Sequence, residues 1–271
     1  MIEQLSPFTI DQIGTGTARF SSSGVFDTHK DQMVNPYAAT LQPKEAQVEC
    51  LQYWPQSKGR FPCVILLHDR WGLTSQIKDL GKQLACEGYV VLIPNLYGRL
   101  GGMVTANAEV ANALAERLHV VDALQDIRAC CEFLNANLSE DTELEYTKRN
   151  THAVVGFGLG GSLALQFACK RKRLRAAVAF YSHLPVQLEM LQELQCPILY
   201  HAAEQENCVT PEVQGQMIQI ANEYNKTIDI QTYPKTCHGF HDESHLDDYN
   251  AAAAQQAWKA TLSFLKTQLA H

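Results

Sequence analysis

No apolar run in the sequence approaches the ~18 residues that a membrane-spanning helix requires. The segment Met1 to Ile10 lacks the basic start and apolar core of a secretion signal, so the expectation is a cytoplasmic protein without membrane contact. Positive charge is also scarce, with 22 Lys and Arg against 29 Asp and Glu and a formal net charge of -7. Binding to nucleic acid needs clustered cations. The one tight cluster, Lys170-Arg171-Lys172-Arg173, reads as the solvated end of a helix, where cations complement the dipole.

The nine cysteines contain no Cys-x-x-Cys pair and are odd in number, which argues against a disulfide framework or a zinc ribbon. Cys63, Cys86, Cys130, Cys131, Cys169 and Cys196 fall within apolar segments, where free thiols behave as small hydrophobes.

What remains is an ordinary globular composition, 46% apolar and 19% charged over 271 residues, with no internal repeat. Residues 1–42 carry scattered turn formers without sustained periodicity and read as an N-terminal extension packed on the domain or partly ordered, followed by one domain over 43–271. In that domain apolar strands alternate with helical patterns. Strands are expected over 46–54, 63–68, 89–94, 152–157, 176–181, 197–201 and 228–233. Helices are expected over 75–87, 115–137, 160–170, 211–224 and 247–269. This alternation implies an α/β fold, a mostly parallel twisted sheet with helices on both faces.

Reactive groups in such a sheet lie at the carboxyl ends of the strands. The stretch Gly156-Phe157-Gly158-Leu159-Gly160-Gly161, between a strand and a helix, has the form of a nucleophile elbow, but its centre is Gly158 rather than Ser or Cys. The same letters contain Gly156-x-Gly158-x-x-Gly161, a dinucleotide fingerprint. It is on the wrong strand for a Rossmann site and lacks the acid expected about 20 residues later. A purely structural turn is the third reading. After later strands come Glu206 and His238, an acid and a histidine in the order of an α/β-hydrolase triad.

The segments His68-Asp69-Arg70-Trp71-Gly72, Gly88 to Arg99, Gly156 to Gly161, Glu206-Asn207-Cys208-Val209 and His238-Gly239-Phe240 resemble, in order, those of the dienelactone hydrolase family. The resemblance runs from about Glu45 to the C-terminus and implies an α/β-hydrolase fold. It implies a triad at Gly158 (nucleophile position), Glu206 and His238. It places Asp69 where the family has the glutamate that holds the resting thiol, and Arg99 where it has an arginine for the substrate carboxylate. The backbone N–H groups of Leu159 and Arg70 would form the oxyanion hole.

Two functions follow from this resemblance. One is a hydrolase of small carboxylate-bearing esters or lactones, weakened by the missing nucleophile; the other is a non-catalytic ligand-binding pseudo-hydrolase. Both imply a small, anionic ligand, with no nucleic acid and no cofactor. Asp69 in place of the family's glutamate shortens the reach by one methylene, a difference expected to matter less when no thiol is present. With an intact elbow, Gly158→Cys is expected to create or greatly raise esterase activity and Gly158→Ser to do so more weakly; in a decayed site neither change is expected to help.

Ser162, Cys208 and Cys237 are the substitute nucleophiles nearest the relevant loops, each disfavoured by its position. His238, His241, Asp242 and His245 have the residue types of a metal site but not its spacing, so they read as a polar loop with solvated histidines and no metal. Trp71, Tyr97 and Phe240 are candidates to line the substrate pocket.

Overall fold

The computed structural model describes residues 6–22, 47–136, 147–184, 188–205 and 209–270. Its strands are β1 (Ile13–Ser21), β2 (Gln47–Pro55), β3 (Phe61–Leu67), β4 (Val90–Pro94), β5 (Thr147–Phe157), β6 (Leu174–Phe180), β7 (Ile198–Ala203) and β8 (Ile228–Tyr233). Its helices are α1 (Ser75–Cys86), α2 (Ala108–Arg117), α3 (Val120–Ala136), α4 (Leu159–Lys170), α5 (Pro211–Glu223) and α6 (Ala251–Leu269).

The strands form one sheet in the order β1-β2-β4-β3-β5-β6-β7-β8. From β4 to β8 all neighbours are parallel, whereas β1 and β2 are antiparallel additions at one edge. The central strands are apolar throughout because both faces are covered. Leu163, Ala164 and Phe167 of α4 join Ile127, Cys130 and Leu134 of α3 on one face. Leu80 and Leu84 of α1 join Ala257 and Leu265 of α6 on the other. The six cysteines expected in apolar segments are buried with free thiols.

Three expectations change. Residues 13–21 lie within the expected extension but form β1, paired along its whole length with β2. The expected helix over 115–137 is two helices, because Leu118 turns extended (φ -69°, ψ 120°) to pack on the core, while Asn107 caps the first helix by accepting the Val110 N–H. The closing helix starts at Ala251 rather than 247, since Asn250 caps it and residues 238–249 form a chain of turns.

Candidate active site at the β3 and β5 ends

β3 and β5 are neighbours, but the chain leaves β3 through α1 toward β4 and leaves β5 through α4 toward β6. The crossovers diverge, so a crevice opens between the two strand ends. On one side it carries His68, Asp69 and Arg70, on the other Gly158 and the first turn of α4.

Gly158 holds φ 47° and ψ -110°, the strained turn of an elbow, and its N–H donates to Phe180 O at 3.0 Å. Its flanking glycines permit close approach. A Cβ on Gly160 would stand 2.5 Å from Leu67 O and 2.6 Å from His68 O, so only glycine lets α4 start against the end of β3.

The space above Gly158 is filled by Asp69. Asp69 Oδ1 accepts the Leu159 N–H at 2.9 Å and the Arg70 N–H at 2.7 Å. These are the two donors that the family resemblance assigns to the oxyanion hole. A Cβ on residue 158 would lie 2.1 Å from Asp69 Oδ1, 2.4 Å from Cγ and 2.5 Å from Oδ2. Asp69 thus fills this space itself, a role that the sequence reading did not assign to it. The Asp69 carboxylate occupies the space beside Gly158 and takes both N–H donors at the start of α4, where the helix N-terminus favours negative charge.

Asp69 Oδ2 faces His238, whose Nε2 is 4.0 Å away. That exceeds a direct hydrogen bond and is a distance that water commonly relays. The Asp69 side chain is 13% exposed and that of His238 29%, so both are partly accessible to solvent. The Tyr181 ring meets the His238 ring edge to face at 5.1 Å, and Tyr181 itself adopts φ 35° directly after β6. A bulky residue at positive φ is a strained conformation that surrounding packing must hold.

His68 braces the same loop. Its Nε2 accepts the Leu96 N–H at 3.1 Å, so the proton resides on Nδ1, which donates to Asp69 O at 2.6 Å. Burial pushes the His68 pKa down to about 4 and keeps the ring neutral, which this two-sided bonding requires. The Tyr97 hydroxyl donates to Arg70 O at 3.0 Å, tying down the next residue as well.

The aromatic candidates all contribute to packing. Tyr97 and Phe240 are fully buried, with Phe240 against Tyr181 and Tyr233. Trp71, 8% exposed, lies between the Arg70 guanidinium at 4.7 Å and the stacked His245 ring at 4.1 Å. They shape the site from beneath and from the side rather than as an open wall.

The polar loop differs from its expected solvated character. His241 and Asp242 are buried, and Asp242 Oδ2 bonds His245 Nδ1 at 3.0 Å. His241 packs among Phe157, Phe180 and Trp258.

Arg99 is engaged elsewhere. Its Nη2 donates to Asp126 Oδ1 at 2.9 Å and its Nη1 to Asp126 Oδ2, a bidentate pair with an α3 residue. Burial raises the Asp126 pKa to about 6 against the pull of Arg99. Ser162 Oγ lies 2.8 Å from His183 O and 3.3 Å from Gly158 O, both carbonyl acceptors, and Cys237 Sγ contacts Asp248 Oδ1 at 3.3 Å. Glu206 and Cys208 lie outside the described residues.

Sequence reasoning missed the roles of His68, Tyr181 and Asp126. His68 had a usable signal, a histidine closing a run of buried residues just before the oxyanion loop. Tyr181 and Asp126 had none, since positive φ and a partner from a distant helix leave no local pattern.

The model of the dienelactone hydrolase family matches residues 48–269. A Bradyrhizobium protein named "Probable 2-oxo-3-(5-oxofuran-2-ylidene)propanoate lactonase" is 26% identical over 225 residues, covering 79% of this chain and 87% of its own. Protein usf of Aquifex pyrophilus is 30% identical over 220 residues, covering 77% and 89%. Among solved structures, a dienelactone hydrolase-like promiscuous phosphotriesterase from metagenomic libraries superposes with a TM-score of 0.74 at 16% identity, covering 95% of this chain and 99% of that one. At that identity the likeness concerns the fold.

Proposed function

Because the chain belongs to the dienelactone hydrolase family, we propose that it binds small esters or lactones bearing a carboxylate and hydrolyses them only slowly. One observation carries this reading: Asp69 Oδ1 takes both N–H donors that a substrate oxyanion would need. Loss of a triad nucleophile costs about 10⁶ in turnover elsewhere, and the remaining ~10³ over water comes from the oxyanion hole and binding. A hole filled by the protein's own acid reduces that remainder too.

The route left for esters is a water activated by His238, without the covalent intermediate that divides acyl transfer into easier steps. Substrate must displace Asp69 from the hole, and a substrate carboxylate must compete with Asp126 for Arg99. The same obstruction favours the second reading, a ligand-binding protein without turnover.

Hydrolysis of p-nitrophenyl acetate tests the proposal. The expected rate is barely above buffer. A rate comparable to ordinary esterases and abolished by His238→Ala would contradict it and require another nucleophile.

A further inference from the structure

The geometry points to Asp69 as a carboxylate nucleophile toward small alkyl halides, with His238 as the base that releases the product. This goes beyond ester hydrolysis, in which Asp69 is an obstruction. The inference rests on how the two oxygens of one side chain are divided. Oδ1 is held by the Leu159 and Arg70 N–H groups, and Oδ2 faces His238 Nε2 at 4.0 Å on a side chain that is 13% exposed. Gly158 makes the arrangement possible, since any Cβ there would overlap Oδ1 and Cγ.

A carboxylate can attack saturated carbon as well as acyl carbon, and carboxylates serve as covalent nucleophiles in other enzymes. In the proposed first step an Oδ2 lone pair forms a C–O bond to the alkyl carbon while the carbon–halogen bond breaks and its electrons leave with the halide. This step needs no proton, which is why a halide is the leaving group proposed rather than an alkoxide. It leaves an alkyl ester on Asp69, with Oδ1 now the carbonyl oxygen.

In the second step water adds to Cγ while His238 Nε2 takes its proton. The negative charge that develops on Oδ1 is already bonded to two N–H donors, the arrangement an oxyanion hole provides. Collapse of this intermediate expels the alcohol, which takes up the proton from His238. Alkyl halide and water become alcohol, halide and a proton, with no oxidant or cofactor needed.

His68 is a positioning residue in this scheme, because its neutral ring fixes the Asp69 carbonyl and, through it, the direction of the carboxylate. The Asp69 side chain is 13% exposed, which favours small substrates.

The test uses 1-bromobutane with the full chain. His238→Ala should release one equivalent of bromide and stop, leaving a butyl group on the peptide that contains Asp69. That group should be removed by alkaline hydroxylamine, as an ester is, and be absent when Asp69→Asn is added. Wild-type protein turning over in oxygen-18 water should carry the label into the Asp69 carboxylate, a readout that does not depend on the variant folding. Butylation confined to a thiol such as Cys237, or no label at Asp69 after incubation, would overturn the inference. Slow ester hydrolysis would stand or fall separately.

Discussion

At the residue scale, Gly158 and Asp69 form a matched pair. The glycine leaves open a space of one side chain, and Asp69 fills that space while satisfying two backbone donors. A Cβ on residue 158 would meet Asp69 Oδ1 at 2.1 Å, so Gly158→Cys alone is predicted to be obstructed as long as Asp69 holds its two N–H donors. In an aryl-ester assay the single substitution should remain near the buffer rate. Gly158→Cys combined with Asp69→Ala should rise by at least the ~10²–10³ that one oxyanion donor contributes elsewhere. Equal activity in the single and double variants would contradict the pairing. The sequence identified both residues, and it located the histidine that faces them. It did not reveal their contact, because Asp69 and Gly158 lie on separate loops and the direction of a side chain is set by packing.

At the element scale, the buried parallel strands and the helices between them were legible, because continuous apolar runs and a 3.6-residue period report directly on burial. Strand β8 was expected over the residues it occupies. The departures arise where packing overrides local pattern. Leu118 breaks a long helical period to reach the core, and β1 exists because β2 offers an edge that its polar, glycine-containing sequence did not announce. Gly14 shows why that strand contains glycine: a Cβ there would lie 2.4 Å from the Trp54 ring on the paired strand. The elbow was legible for a related reason. Gly156 and Gly160 are needed where backbone approaches backbone, and the approach of α4 to β3 brings the Leu159 N–H to Asp69.

At the scale of the whole molecule, stability depends on four buried histidines. Burial lowers the pKa values of His68, His152 and His241 to about 4 and that of His201 to about 3. The unfolded chain protonates these rings near their ordinary value of 6.5 while the folded chain does not, so stability is full above pH 6.5 and is lost as pH falls toward 4. Asp126, raised to about 6, opposes the loss by taking its proton in the folded state first. The net slope is about 4 kcal/mol per pH unit near pH 5, enough to unfold a domain of ordinary stability before pH 4. Circular dichroism followed from pH 7 to pH 3 should show cooperative unfolding between pH 6 and 4, and a fold intact at pH 3.5 would contradict the account. The central claim, that Asp69 occupies the space of the missing side chain, is tested most directly by the unfolding free energies of Gly158→Ala, Asp69→Ala and the double variant. The strain of alanine at positive φ is common to both backgrounds and cancels. The account predicts that Gly158→Ala is costly beside Asp69 and much less so beside alanine, with a coupling of about 2 kcal/mol or more. Effects that add to within about 0.5 kcal/mol would contradict it.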